Sequence, residues 1–542
     1  MATQNGSIAG SGYGNVYLDS LIWGCGWSYA TSPTAITYSF GTGLLFSSES
    51  SIGAFIGGIW TDAEKNAFRM ALANYSSVCN LQFAESTAET TDLKWWKAPS
   101  SAMGENSLGL HEIPENIYPS TYGYFNQDSA SWGYLDKGAY GYVTIIHELG
   151  HAMGLAHPHD GGGDADATKF PGVTSDNPLG THEMNQGIWT TMSYNDGWKG
   201  HYSEYYDYGW QGTLMALDIA ALQKLYGVNT STATGNDVYR LPKVNDVGSY
   251  WSCIWDAGGT DTISNEGSNV ACTIDLRAAP LIGANAGGYV SYGTGIIGGY
   301  TIANGVIIEA AIGGSSADKL YGNSSGNTLS GGLGNDLIYV GTGTASDRVD
   351  GGSGVDGVSY AYAGSRVNVN LNLTTAQATG GSGTDTILNI ENLYGSAYGD
   401  TLSGNASGNQ LYGAAGNDIL NGMGGNDTLN GGAGLDTFVF NTALSAMGNK
   451  DTITDFNVTD DTIQLENAIF TKLTTLGALA TANFCANATG IATDSNDFIC
   501  YNTTTGALSY DADGSGAGAS VAFAVLGTTV HPMLTAADFV IV

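Results

Sequence analysis

Basic residues are scarce in this chain, and that scarcity excludes more than any other feature. Only 16 Lys and Arg stand against 50 Asp and Glu, a formal net charge of −34, so nucleic acid is not an expected partner and bound cations would relieve the self-repulsion. No run is long and apolar enough to span a bilayer, so no membrane insertion is expected. The opening Met1-Ala2-Thr3-Gln4-Asn5-Gly6 lacks a basic segment followed by an apolar core, so no signal peptide of the usual kind is expected. None of the six cysteines, at 25, 79, 253, 272, 485 and 500, forms a C-x-x-C pair, which disfavours zinc held by cysteine. Their order suggests local disulfides, Cys253 with Cys272 and Cys485 with Cys500, leaving Cys25 for Cys79. Proline is rare, 10 residues beside 80 glycines, and the glycines follow no collagen period; they require a repeat or disorder. At 542 residues the chain exceeds one ordinary core, so two or more domains are expected.

The stretch that organises the rest is His147-Glu148-Leu149-Gly150-His151-Ala152-Met153-Gly154-Leu155-Ala156-His157. A helix turns by roughly 100° per residue, so His147 and His151 point the same way and can share one metal ion. Ile145, Leu149 and Met153 fall on the opposite face and give the helix a side to bury. Glu148 lies beside the ligands, badly placed to bind the metal but able to reach a water on it, which suits a general base. His157 requires a turn after Met153. Gly154 permits it and Pro158 stops the helix from resuming. Gly150 costs about 1 kcal/mol relative to Ala inside a helix, and nothing in the sequence accounts for it.

This string resembles H-E-x-x-H-x-x-G-x-x-H of the metzincin metalloproteases, and Thr191-Met192-Ser193-Tyr194 resembles their Met-turn. The resemblance implies Zn²⁺ held by His147, His151 and His157, with Glu148 catalytic and Met192 as an apolar floor beneath the metal. Tyr194 narrows it to the serralysin and astacin branches, where a tyrosine at this place ligates the resting zinc and then assists the oxyanion. The string from Met215 to Gly227 is similar to what serralysins carry and astacins do not. His159, His182 and His201 are expected to be loop residues outside the zinc set. Cys25 as an inhibitory zinc thiolate is a weaker alternative, since Trp23-Gly24-Cys25-Gly26-Trp27 does not match the motif known for that role.

Upstream, Thr61-Asp62-Ala63-Glu64 reads as a capping box opening a helix to about Asn74, with Ala63, Ala67, Met70, Ala71 and Asn74 near one face. Leu81 to Ala84 and Leu93 to Trp96 read as strands, and Tyr122 to Asn126 stands where the family keeps an edge strand along the cleft. Leu214 to Tyr226 reads as a helix ended by Gly227.

Beyond Thr230 the texture becomes short glycine-punctuated strands. Trp255 to Thr262 resembles a serralysin calcium loop, which implies Asp256, Gly258 and Asp261 as ligands. A nine-residue period follows: Gly395, Gly404, Gly413, Gly422 and Gly431 open successive units, with Asp400, Asn409, Asp418, Asp427 and Asp436 at the sixth place and Leu402, Leu411, Leu420, Leu429 and Phe438 two further on. An earlier block from Gly313 places Asp318, Asn327 and Asp336 in phase, then slips near Asp347 before Asp356. The pattern resembles the RTX repeat, whose glycines let carbonyls face Ca²⁺ while the aspartates supply charge. Asn327 and Asn409 lack that charge. A flexible linker would not keep apolar residues in register. Between the blocks, Val367, Val369, Leu371 and Leu373 alternate with polar residues as one buried face. The tail Asp538-Phe539-Val540-Ile541-Val542 resembles those of substrates of bacterial type I export.

The expected fold class is an α+β metzincin catalytic domain, residues 1–229, then an all-β parallel β-roll of RTX type, 230–440, with repeats at about 313–359 and 395–439. A C-terminal β region, 441–542, carries the export signal. The expected function is a secreted, extracellular zinc endopeptidase, monomeric, stabilised by calcium, exported by type I secretion machinery and acting on protein or peptide substrates. The alternatives are a non-enzymatic calcium-binding adhesion protein and a narrow processing protease for one cell-surface protein.

Overall fold

The computed structural model describes every residue except 1, 7, 29–34, 49, 116–119, 161–167 and 528. The chain forms two compact units, one of Met1–Asn265 with Asp275–Ile308, the other of Glu266–Ile274 with Glu309–Val542.

In the first unit, helix α1 (Asp62–Val78) opens on the capping box, with Thr61 accepting from the Glu64 N–H and the Glu64 carboxylate accepting from the Thr61 N–H. Its buried face keeps Ala67 and Ala71 of the expected stripe but is dominated by larger residues. Phe68, Leu72 and Tyr75 are buried while Ala63 and Met70 are exposed, because the larger apolar side chains remove more area from water. Phe68 seats the helix on a five-stranded sheet, its ring 4.7 Å from that of Trp95 and 4.9 Å from that of Phe125.

That sheet holds β1 (Ile36–Phe40), β2 (Phe83–Glu85), β3 (Leu93–Ala98), β4 (Gly109–His111) and β5 (Thr121–Asn126) in the order β2-β1-β3-β5-β4. All neighbours are parallel except β4, which runs antiparallel to β5. The expected edge strand is therefore corrected: β5, which contains Tyr122 to Asn126, is interior, and the three-residue β4 is the edge. A strand this short and opened by glycine carries no alternating signal to read.

Helix α2 (Tyr140–Ala152) carries the histidines and is buried on every side from Gly141 onward. Helix α3 (Ala216–Tyr226) ends at Gly227, φ +76°. Three aromatic groups hold the carbonyls of α2 and its cap: Tyr75 Oη donates to Ile146 O at 2.7 Å, Trp27 Nε1 to Ala152 O at 2.8 Å and Tyr226 Oη to Met153 O at 2.7 Å. The last of these serve groups that a helix end leaves without partners.

The second unit is mainly a stack of short parallel strands, with antiparallel pairing of Gln377–Gly380 with Gly383–Leu388 and of Ala507–Tyr510 with both Ile499–Asn502 and Val521–Leu526. Consecutive nine-residue repeats alternate between two sheets, so the strand that pairs with a given one lies two repeats on. Leu393, Leu411 and Leu429 stand in one column and Leu402, Leu420 and Phe438 in another, all fully buried. The slip near Asp347 is a longer turn: Leu329 pairs with Val349 and Ile338 with Val358. In the insert, Asn368–Asn370 pairs with Thr401–Ser403 and buries Val367, Val369 and Leu371. Leu373 is a correction: it lies beyond the strand and is 43% exposed. The final strand Phe539–Ile541 runs parallel to Thr462–Leu465.

All six cysteines are buried, and the suggested Cys25–Cys79 and Cys253–Cys272 disulfides are not formed. The Cys79 thiol donates to the Tyr75 carbonyl, 3.2 Å. Cys485 and Cys500 do stand opposite one another on neighbouring strands, sulfurs 2.6 Å apart.

Candidate metal centre and active site

Helix α2 presents His147 and His151 one turn apart, and the turn at Gly154, φ +87°, returns His157 to them. A Cβ on Gly154 would occupy the position of the Cys25 carbonyl, so only glycine fits there. The His157 Nε2 lies 3.1 Å from that of His147 and 3.0 Å from that of His151.

These short separations are not hydrogen bonds. His147 Nδ1 faces the Thr191 carbonyl at 2.8 Å, His151 Nδ1 the Leu155 carbonyl at 2.9 Å, and His157 Nδ1 the Asp160 carboxylate at 2.5 Å. Each partner only accepts, so each Nδ1 carries the proton and each Nε2 presents a lone pair. Three lone pairs converging on one point repel one another unless a cation lies between them, and a tetrahedral zinc with bonds of about 2.0 to 2.1 Å fits that spacing. Burial pushes His147 down to about 3 and His151 well down, which keeps both neutral and able to ligate.

Glu148 is buried beside the trio, and desolvation pushes its carboxyl up to about 8, opposed by the His111 backbone N–H that donates to it. A nearby dication would favour the ionised form. Gly109 of β4 closes on this carboxyl, since a Cβ there would stand 2.5 Å from Glu148 Cγ. The edge strand and the acid are thus fitted to each other.

Gly150 has its explanation here. A Cβ at 150 would overlap the Met192 sulfur, so glycine lets the loop carrying fully buried Met192 pass under the helix. Asp218 of α3 pins that loop: its carboxylate accepts from Thr190 Oγ1 at 2.5 Å, Thr191 N at 2.7 Å, Thr191 Oγ1 at 2.9 Å and Met215 N at 3.0 Å. The Thr191 carbonyl then orients His147. Tyr194, half exposed, has its ring 4.5 Å from that of His157 and 5.6 Å from that of His147.

Two residues near the centre carry no sequence signal of their own. Asp160 is read only from its spacing to His157, and Asp218 only as an acid inside the apolar run of α3. His159 also comes to the rim, stacked on His157 at 5.0 Å. His182 sits in the turn Thr181–Glu183, and His201 stacks on Trp198 at 4.4 Å. Cys25 is not among the groups whose ligand atoms converge among the described residues.

A groove of about 360 Å³ opens beside Glu148, bordered by Ser107–Gly109, Val143, Tyr194 and Asp196. Burial pushes Asp196 up to about 6, opposed by a hydrogen bond from Tyr140 Oη of 2.8 Å.

Of the expected calcium ligands, Asp256 and Asp261 converge with Asp237, which the sequence reading omitted. Gly258, φ +140°, donates its N–H to Asp256 Oδ1 at 2.9 Å. Along the roll, these aspartates each anchor one oxygen on the preceding turn: Asp336 Oδ1 accepts from Asp318 N, Asp356 from Asp336 N, Asp418 from Asp400 N and Asp436 from Asp418 N, at 2.7 to 2.9 Å. Asp427 Oδ1 accepts from Asn409 N at 2.7 Å. The Oδ2 atoms of Asp336, Asp356, Asp418, Asp427 and Asp436 are buried with no hydrogen-bond partner. Bare buried carboxylate oxygens beside glycine carbonyls fit an oxygen-seeking cation such as calcium. Asp400 differs, its oxygens also accepting from Ser396, and Asn409 turns its amide to the Glu391 carbonyl.

Residues 216–541 match the family model described as peptidase M10 serralysin C terminal. The curated relatives include a serralysin of Proteus mirabilis, 30% identical over 50% of this chain and 56% of its own length. Serralysin B of Dickeya chrysanthemi is 33% identical over 48% of this chain and 53% of its own. Metalloprotease AprA of Pseudomonas entomophila is 30% identical over 50% and 55%. The chain spans about half the length of the curated relatives it matches. A solved extracellular lipase LipA of Serratia marcescens is 15% identical over 43% of this chain and 40% of that one, at a TM-score of 0.13. The repeat-bearing half is that of the M10 peptidases of serralysin type. The chain belongs to the serralysin family.

Proposed function

We propose that this chain is a secreted zinc endopeptidase, with a metzincin-type catalytic domain formed by its N-terminal part and a calcium-stabilised roll following in the sequence. The observation that carries the reading is the convergence of three Nε2 lone pairs beside a buried carboxyl in a groove bordered by an edge strand. Zinc held by His147, His151 and His157 would polarise the scissile carbonyl and acidify a water. Glu148 takes the proton of the attacking water on its carboxylate and returns it to the leaving amine. The Tyr194 hydroxyl donates to the oxyanion as it forms. Strand β4 offers its backbone to an extended peptide, which favours unfolded or flexible protein substrates. Calcium between the turns is supported by the bare aspartate oxygens, and export by type I machinery by membership of the family.

The test is cleavage of an unfolded protein and of the same protein folded, by the purified chain with zinc and calcium. Cleavage of the unfolded form is expected. Cleavage of neither form would favour an adhesive role.

A further inference from the structure

The groove beside Glu148 carries chemistry that the hydrolytic step does not use. Resting on the endopeptidase reading, we infer that it is a selectivity pocket for a lysine or arginine side chain on the residue that supplies the leaving amine, with Asp196 as the specificity-determining group.

The side of the scissile bond follows from the proton path. The group that protonates the amine must stand on the amine side, and the groove opens against that group, Glu148. The cleft of about 360 Å³ is lined at one end by His147, Glu148 and Tyr194, where the scissile bond would lie, and extends past them to Tyr140, Val143 and Asp196, which leaves room for a side chain. The flanks are partly apolar, with Leu108, Val143 and the Tyr140 ring available to cover an aliphatic stem.

The charge of the lining is one-sided. Apart from the candidate ligands it includes no lysine, arginine or histidine, whereas Asp196 borders it with a carboxylate whose hydrogen bond comes from the neutral Tyr140 hydroxyl at 2.8 Å. A substrate cation entering here would meet the carboxylate away from bulk water, where a charge-assisted contact is strongest. An acidic side chain would meet Asp196 and Glu148 together and be rejected. The formal charge of −34 acts in the same sense, drawing basic chains toward the protein.

The experiment uses the full chain with zinc and calcium and a set of flexible peptides, identical except for Arg, Lys, Leu or Glu after the scissile bond, with cleavage positions read by mass spectrometry. The Arg and Lys peptides should be cut with kcat/KM about tenfold or more above the Leu peptide, and the Glu peptide slowest. In Asp196→Asn the Arg-to-Leu ratio should fall toward one. Equal cleavage of the whole set by the wild type would overturn the pocket assignment and leave the endopeptidase reading standing. If no peptide is cut at all, both fall together.

Discussion

At Gly150 two opposing effects can be weighed. Glycine inside a helix costs about 1 kcal/mol against alanine, so Gly150→Ala would stabilise an unencumbered helix. Here the added methyl would overlap the Met192 sulfur, and overpacking of this kind costs about 1 to 3 kcal/mol. The variant should therefore melt below wild type, with weaker zinc binding as Met192 is displaced. A higher melting temperature would mean that the loop under the helix yields freely. His147, His151, Glu148 and Gly154 are legible in the chain because their relation is local, fixed by helical turn and spacing. Gly150 is not, because its reason lies 42 residues on, at Met192, in a contact that no spacing encodes.

Among the elements, the loop carrying Thr190 to Tyr194 depends on α3. Asp218→Ala leaves four donors without their acceptor, each worth about 1 to 3 kcal/mol when buried. A loss of about 3 kcal/mol or more is expected in urea denaturation. Zinc affinity, read by competition with a chelator, should fall as well, because the Thr191 carbonyl would no longer hold His147. Unchanged zinc affinity would confine Asp218 to the fold. The capping box at Thr61 and the stop at Gly227 could be read from sequence, since both are local hydrogen-bond chemistry. The order of the sheet could not. Strand β5 looks like an edge until β4 is found beside it, because a strand of three residues leaves no alternating pattern to read.

On the scale of the molecule, the roll is expected to couple protons, cations and folding. Its period was legible because glycine, aspartate and leucine recur in phase, but the pairing of every second repeat appears only when the turns stack. Burial and neighbouring carboxylates push Asp336 up to about 7 and Asp418 to about 6, and burial pushes Asp427 to about 6. Asp347 rises to about 7, and Asp451 is pushed up, each from burial and then an adjacent aspartate. Raised folded values mean that the cation-free roll favours the protonated form. Its stability is full below the ordinary carboxylate range and is lost as pH rises through about 6 to 7. In chelator, thermal melting followed by circular dichroism should show a midpoint that drops from pH 5 to pH 8. Calcium should remove that drop, with less effect at low pH where protons compete. Asp418→Ala with Asp427→Ala should raise the calcium needed. A midpoint in chelator that is flat across this range, and untouched by calcium, would contradict the coupling.

The most direct measurement of the central claim is a zinc titration of the chelator-stripped full chain in calcium, following cleavage of an unfolded protein alongside bound metal. Wild type should gain activity in proportion to zinc and reach its plateau at one equivalent. Glu148→Gln should bind the same equivalent while losing about 10² to 10⁴ of the rate, and His151→Ala should lose both. Activity that survives in Glu148→Gln, or that appears without zinc, would contradict the account.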